Sequence, residues 1–226
     1  MEARMDIRHY YLEKGKGDTL ILLHGNGEGG EYFENQTEAL SQHYHIYVID
    51  TRGHGKTPRG EGEFTIKRFA DDLYEFMTEK GIEKANILGF SDGGNIALYF
   101  ALKHQDMIEK LILNGANIFP KGVKEPYYSE ILDAYEKAKQ KGPEGVRETE
   151  MLGLMVNEPD ITPEQLETIK VKTLVIVGDN DMIDEEHTKL IASSIPNAEL
   201  TVLPGTHFIA HDNHEEFNKK IIEFLG

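Results

Sequence analysis

Short apolar runs alternate along this chain with longer stretches whose apolar positions recur every three or four residues. Thr19–Leu23, His45–Ile49, 85–90, Lys110–Leu113, Thr173–Val177 and Leu200–Leu203 have the length and apolar content of strands buried on both faces. Residues 5–12 alternate more loosely and predict a further strand, closed by the turn Gly15-Lys16-Gly17-Asp18. Helical spacing covers 31–42, 65–80, 92–104, 184–195 and 213–225. In 65–80 the stripe Ile66, Phe69, Ala70, Leu73, Phe76, Met77 stops at Gly81, and in 213–225 the apolar positions are Phe217, Ile221, Ile222, Phe224 and Leu225.

The alternation lapses between about 117 and 170. Two helices are expected there, YYSEILDAYEKAKQKG and GVRETEMLGLMVNE, then Pro159 and Pro163 and a short helix before 170, with no strand. Strands alternating with helices imply an α/β protein with a mostly parallel sheet covered on both faces. The expected division is a core of 1–116 and 171–226, with 117–170 a small helical cap inserted between two strands, the natural candidate for a lid.

Composition narrows the classes. A chain of 226 residues fits one sizeable domain. No apolar run approaches the roughly 20 residues a membrane span needs, and MEARMDIRHYYLEKG has no apolar leader core, so the expected compartment is the cytoplasm. With no cysteine, disulfides, thiol catalysis and cysteine-held metals are excluded. A net charge of −16 repels nucleic acid and other polyanions and tolerates a neutral or cationic small molecule. The same acidity is commonly a solubility property without bearing on chemistry.

The candidate chemistry centres on ILGFSDGGNIAL. Gly89-x-Ser91-x-Gly93 lies where a buried strand turns directly into a helix. The motif alone arises by chance in roughly one chain in twenty, so the strand-turn-helix context carries the inference that Ser91 is a nucleophile. A serine hydroxyl needs a base, and the base a carboxylate to fix its tautomer. In a parallel sheet the strand-to-helix loops meet at one edge, which gathers His24–Gly30, Ser91, Asp179–Asp184 and Thr206–His207.

His207 follows the last strand directly, whereas His211 and His214 fall at the start of the next helix. These three with Asp212 could in residue type alone hold a metal, but no separate ligand cluster is evident and none is expected. Among the acids, Asp179 is placed to be tied into its turn and Asp184 to cap the helix that follows, which leaves Asp181 as the preferred partner. Two oriented amides would have to receive an oxyanion: that of Asp92, after the nucleophile, and that of Asn26, after His24-Gly25. The Asp92 side chain either stabilises the helix N-terminus or provides a fixed charge that selects a cationic substrate.

LILLHGNGEGG, DTRGHGKTP, ILGFSDGGNIAL, LVIVGDNDMI and LPGTHFIAHDNHEEFNKKIIEFL together resemble the α/β-hydrolase fold family, in its single-domain serine esterase and meta-cleavage-hydrolase branch. The Ser-Asp-Gly-Gly elbow is similar to that of hydrolases acting on amino-acid esters. The resemblance implies Ser91 as nucleophile, Asp181 as acid, His207 as base and the Asn26 and Asp92 amides as oxyanion donors. The chain departs from the family in two respects: in place of the family's longer opening hairpin, a short or absent first strand is expected, and the small cap implies an open pocket with loose selectivity.

The expected activity is cleavage of small carboxylic esters, without cofactor or metal, by a monomer or homodimer that contacts neither nucleic acid nor membrane. The rivals are C–C or amide cleavage with the same three residues, and a non-catalytic small-molecule receptor. Asp92, Phe119, Tyr127, Met151, Leu154 and Met155 are the candidate substrate contacts. The apolar ones among them fit the interior of the cap equally well.

Overall fold

The computed structural model describes residues 6–226. Among them seven strands form one sheet: β1 (Tyr11–Lys14), β2 (Thr19–Leu23), β3 (His45–Ile49), β4 (Ala85–Phe90), β5 (Ile108–Asn114), β6 (Lys172–Asn180) and β7 (Ala198–Thr206). Their spatial order is β1-β3-β2-β4-β5-β6-β7, antiparallel only between β1 and β3.

Alternate side chains of each central strand enter opposite cores, the period-2 consequence of the pleat. Ile21, Leu23, Ile87, Leu111, Leu113 and Val175 face one side, where α2 (Ile66–Lys80) and α3 (Asp92–His104) cover them. Leu20, Leu22, Leu88, Ile112, Leu174 and Ile176 face the other. That side is closed by α1 (Glu34–Leu40) and by the C-terminal helix, whose Phe217, Ile221 and Phe224 are buried. The α2 stripe read from the sequence is buried as a row, and the helix ends at Gly81 in a left-handed turn with φ 66°.

Several boundaries differ from expectation. The first strand occupies 11–14 rather than 5–12; residue 5 lies outside the described residues. The two last strands are longer than their apolar runs, because pairing between β6 and β7 continues to Asn180 and Thr206 after hydrophobicity has faded. Asp179 therefore sits inside a strand, where its Oδ1 accepts the Gly205 N–H at 3.0 Å. Backbone pairing needs no apolar side chain, so the hydrophobic pattern underestimates such strands.

Residues 117–170 hold α4 (Tyr127–Gln140), α5 (Val146–Asn157) and α6 (Pro163–Leu166), with α4 and α5 packed together. The segment is tied to the rest at several points. Lys124 N–H donates to Met182 O at 2.8 Å and Asp184 N–H to Gly122 O at 2.8 Å. Arg147 donates to Gly53 O, Arg59 pairs with Glu150, and Glu158 accepts the Ile66 N–H. Then come α7 (Glu185–Ser194), capped by Asp184, the short α8 (Ile209–Asp212) and α9 (His214–Leu225).

The loop after β3 is organised by one residue. Arg52 is fully buried, 0% exposed, with Nε and Nη2 on the two oxygens of Asp72 at 2.7 and 2.8 Å. Its Nη2 also meets Asp6 Oδ1 at 2.6 Å, and its Nη1 donates to Arg59 O and Glu61 O, each at 3.1 Å. A planar fork can satisfy two carboxylates and two carbonyls at once, and an ammonium cannot. Removing it leaves the buried Asp72 with only the half-buried Arg68, whose Nε lies 3.0 Å from Oδ1. Arg52→Met is expected to lower the unfolding free energy by about 3–5 kcal/mol in urea titration, and Arg52→Met/Asp72→Leu to recover a large part of that loss.

Candidate functional site

The site forms where β4 gives way to α3 within one residue. Ser91 takes φ 51° and ψ −120°, the one non-glycine positive φ among the described residues. Such strain costs about 1–3 kcal/mol and holds the hydroxyl proud of the sheet edge. Its N–H donates to Asn114 O of β5 at 2.8 Å, while its carbonyl accepts from Gly94 and Asn95. The turn leaves no room for side chains. A Cβ at 89 would lie 2.2 Å from Gly93 O, and one at 93 would lie 2.0 Å from Leu23 O.

Ser91 Oγ is 3.1 Å from His207 Nε2, and His207 Nδ1 is 2.7 Å from Asp181 Oδ1. The three come from positions after β4, β7 and β6. The same Asp181 oxygen also accepts the Ile183 N–H at 2.8 Å. With Asp181 accepting at Nδ1, the imidazole presents its unprotonated Nε2 to the hydroxyl, the tautomer a base needs. His207 is buried and packs beside Phe90 and Phe208, at centroid distances of 4.9 and 5.6 Å. Gly115, at φ 62°, lies under its ring, where a Cβ would come within 2.7 Å of Cε1. His211 and His214 stay outside this line, in α8 and at the start of α9. Among the described residues no group of three or more His, Cys, Asp or Glu could hold a metal.

The loop after β2 closes the other side. His24 is buried, its Nδ1 2.8 Å from Gly25 O, and its Nε2 accepts the Thr51 N–H at 3.0 Å. Burial pushes its pKa down, so it serves the loop as a neutral pin. Neither the Asn26 nor the Asp92 N–H donates to a backbone carbonyl among the described residues. Free amides beside a nucleophile can receive a developing oxyanion.

Asp92 is 7% exposed, and its oxygens accept from two side-chain amides, Asn26 Nδ2 at 2.9 Å and Asn95 Nδ2 at 3.2 Å. Burial raises its pKa, opposed by those two hydrogen bonds and by His207. No cation pairs with it among the described residues.

The remaining candidate contacts separate. Met151 offers its carbonyl to Asn26 Nδ2 at 2.8 Å, so α5 reaches the site through backbone. Leu154 is 1% exposed and belongs to the apolar core shared with α2 and α3, so it packs and does not line the site. Met155 is half-buried on α5. Phe119 packs edge-on against His187 at 4.4 Å, and Tyr127 is 46% exposed at the start of α4.

Three participants escaped the sequence reading. Asn95 and Gly115 look like ordinary helix and turn residues, and only the fold brings them to the site. Glu28 sits in the glycine-rich loop, where its Oε2 accepts the Gly25 N–H at 3.1 Å. A carboxylate three residues beyond Gly25 was a visible signal for that turn.

A family model described as alpha/beta hydrolase fold matches residues 18–127. A Caulobacter sp. (strain K31) protein provisionally named a carbamate hydrolase is 27% identical over 92% of this chain and 90% of its own length. A 2-hydroxy-6-oxo-6-(2'-aminophenyl)hexa-2,4-dienoic acid hydrolase of Metapseudomonas resinovorans is 34% identical over 47% of this chain and 38% of that one. Among solved structures, a hydrolase from Pseudomonas aeruginosa PA01 superposes with TM-score 0.79 at 25% identity, over 96% of this chain and 94% of the other.

Burial lifts the Glu28 carboxyl from 4.5 to about 7, with the Gly25 amide and His207 opposing and Glu31 adding to the rise. Between those two values the folded protein keeps a proton that the unfolded chain has released, so raising pH through that window destabilises the fold. Glu28→Gln removes this dependence. Urea unfolding is expected to show wild type losing stability relative to the variant from about pH 5 to about pH 8; parallel pH dependences would contradict the burial argument.

Proposed function

The chain belongs to the α/β-hydrolase fold family, and on that premise we propose that it is a serine hydrolase cleaving small carboxylic esters through an acyl-enzyme. The observation that carries the reading is the unbroken line Ser91 Oγ, His207 Nε2, His207 Nδ1, Asp181 Oδ1, at 3.1 and 2.7 Å.

His207 takes the Ser91 proton as Oγ bonds to the ester carbonyl carbon. The carbonyl oxygen becomes an oxyanion between the Asn26 and Asp92 amides, and the imidazolium is held by Asp181. As the tetrahedral centre collapses, the C–O bond to the alcohol breaks and His207 returns the proton to the leaving oxygen. Water then enters, His207 deprotonates it, the hydroxide oxygen bonds to the acyl carbon, and as the bond from that carbon to Ser91 Oγ breaks, His207 returns the proton to Oγ and the acid leaves. Metal or redox chemistry has no part in this sequence of steps. Residues 117–170 act as a cap over the site, with α5 meeting it through the Met151 carbonyl on Asn26.

The preferred substrates are neutral or cationic. Asp92 supports that choice: it is a carboxylate next to the nucleophile, partnered by neutral amides. A positive group on the substrate would supply the missing countercharge. C–C cleavage of a dienoate, the meta-cleavage-hydrolase reaction, is the second reading, in keeping with the dienoic acid substrate named for the Metapseudomonas resinovorans relative.

Fluorophosphonate is expected to label wild type at Ser91, and Ser91→Ala to lower kcat/KM on p-nitrophenyl esters by at least about 10⁴-fold. A wild-type protein that neither labels nor turns over any ester would remove the proposal, and turnover of a dienoate alone would replace it with the second reading. In Asp92→Asn, the preference for aminoacyl over neutral acyl esters is expected to fall by about tenfold or more; an unchanged ratio would leave Asp92 only its role at the helix N-terminus.

A further inference from the structure

A chain of side-chain amides runs through the site, and the acyl-transfer scheme makes no use of it. Asn26 Nδ2 carries two hydrogens, one on Asp92 Oδ2 at 2.9 Å and one on Met151 O of α5 at 2.8 Å. Beyond Asp92 the chain continues. Asn95 Nδ2 donates to Asp92 Oδ1 at 3.2 Å and to Asn117 Oδ1 at 2.9 Å, while Asn95 Oδ1 accepts the Asn117 N–H at 3.0 Å. Asn117 Nδ2 ends it on Phe119 O at 3.0 Å. Asp92 thus stands at the middle of a network whose two ends lie on the 117–170 segment, at Met151 and at Phe119.

The orientation of the Asn26 amide is dictated by its surroundings. Both groups it meets, a carboxylate and a carbonyl, are acceptors, so the reversed amide would set oxygen against oxygen twice. Asn26 is followed by Gly27 at φ 76°, in a turn where no other hydrogen bond is made at residue 26 among the described residues. Its side chain is therefore the strut that decides where its own N–H points.

We propose that Asn26 is a positioning residue: its side-chain amide, clamped between Asp92 and the Met151 carbonyl, aims its backbone N–H at the oxyanion and makes that aim depend on α5 being seated. The inference rests on the serine-hydrolase reading above. It assigns the Asn26 side chain no contact with substrate. Seating α5 completes the clamp, so ester carbonyl activation and closure of the 117–170 segment are one event. With α5 displaced, Asn26 keeps its bond to Asp92 and loses the second anchor.

Asn26→Ala retains the backbone N–H and removes the strut. A misdirected donor weakens the transition state more than the Michaelis complex, so kcat is expected to fall about 10- to 100-fold with KM within about threefold. Affinity for a boronic acid, whose adduct places an oxygen in the same position, is expected to fall in parallel with kcat/KM.

Asn26→Asp is the sharper variant, because it keeps the size and replaces the donor with a second carboxylate facing Asp92. The charged or titratable groups around it are Asp92 on α3, Glu28 in its own loop, His207 after β7, and Glu158 beyond α5. Glu28 and His207 are present in the Ala variant too, so the ratio of the two variants isolates the new pair. One shared proton would restore a donor, so the Asp/Ala ratio of kcat is expected to rise by about tenfold from about pH 9 to about pH 6.

Should Asn26→Ala fold poorly by its melting transition, Asn26→Gln serves instead. Its longer arm keeps the donor and misplaces it, with the same expected drop in kcat at constant KM. An unchanged kcat, a change confined to KM, or a flat Asp/Ala ratio would each overturn the proposal while wild type still labels at Ser91. Absence of wild-type labelling would instead strike the hydrolase reading on which it stands.

Discussion

The N-terminus of α3 meets the ends of β2 and β4 so closely that no side chain fits between them. A Cβ at Gly93 would stand 2.0 Å from the Leu23 carbonyl oxygen, and one at Gly89 2.2 Å from the Gly93 carbonyl oxygen. Because these positions are bare, β4 can turn into α3 at a single residue, and that residue, Ser91, is left at a positive φ. The close approach also sets the N-terminus of α3 against the loop after β2, where the Asn26 side chain meets Asp92. One steric condition therefore places the hydroxyl at the helix N-terminus, against the loop after β2.

The rest of the fold brings reagents to that point and keeps them dry. The parallel sheet delivers the loop after β6 and the loop after β7 to the same edge, and the β6–β7 pairing extends far enough to carry Asp181 and His207 to within hydrogen-bonding reach. The entry to the 117–170 segment grips the acid loop. Lys124 N–H and Asp184 N–H exchange backbone bonds across it, and Lys124 Nζ donates to Asp181 O at 2.7 Å. Buried titratable groups follow local electrostatics. His24 is held neutral by burial, whereas Glu28 and Asp92 are carboxyls whose charge burial penalises.

Much of this was legible before any coordinates. The apolar runs gave β2, β3 and β4 at their observed limits, and the α2 stripe, because burial on both faces of a sheet or one face of a helix leaves a period in the sequence. The order nucleophile, acid, histidine was readable because each sits directly after a strand, where a parallel sheet gathers its loops. The first strand was misplaced because an edge strand with one half-buried and three exposed residues has little hydrophobic signal. The ends of β6 and β7 were missed because main-chain pairing goes on without apolar side chains.

The sequence by itself determined the alternation of strands and helices, the bare elbow around Ser91 and the identity of the residues able to move a proton, since these depend on local sterics and on side-chain chemistry. Tertiary structure alone decided which contacts close the site. Asn26 and Met151 are 125 positions apart, and Asn95 and Asn117 are 22; neither pair shares a period or a motif. Such contacts arise from how α5 and the 117–119 stretch settle onto the sheet edge, a matter of shape and of pairing donors with acceptors that a linear pattern does not encode.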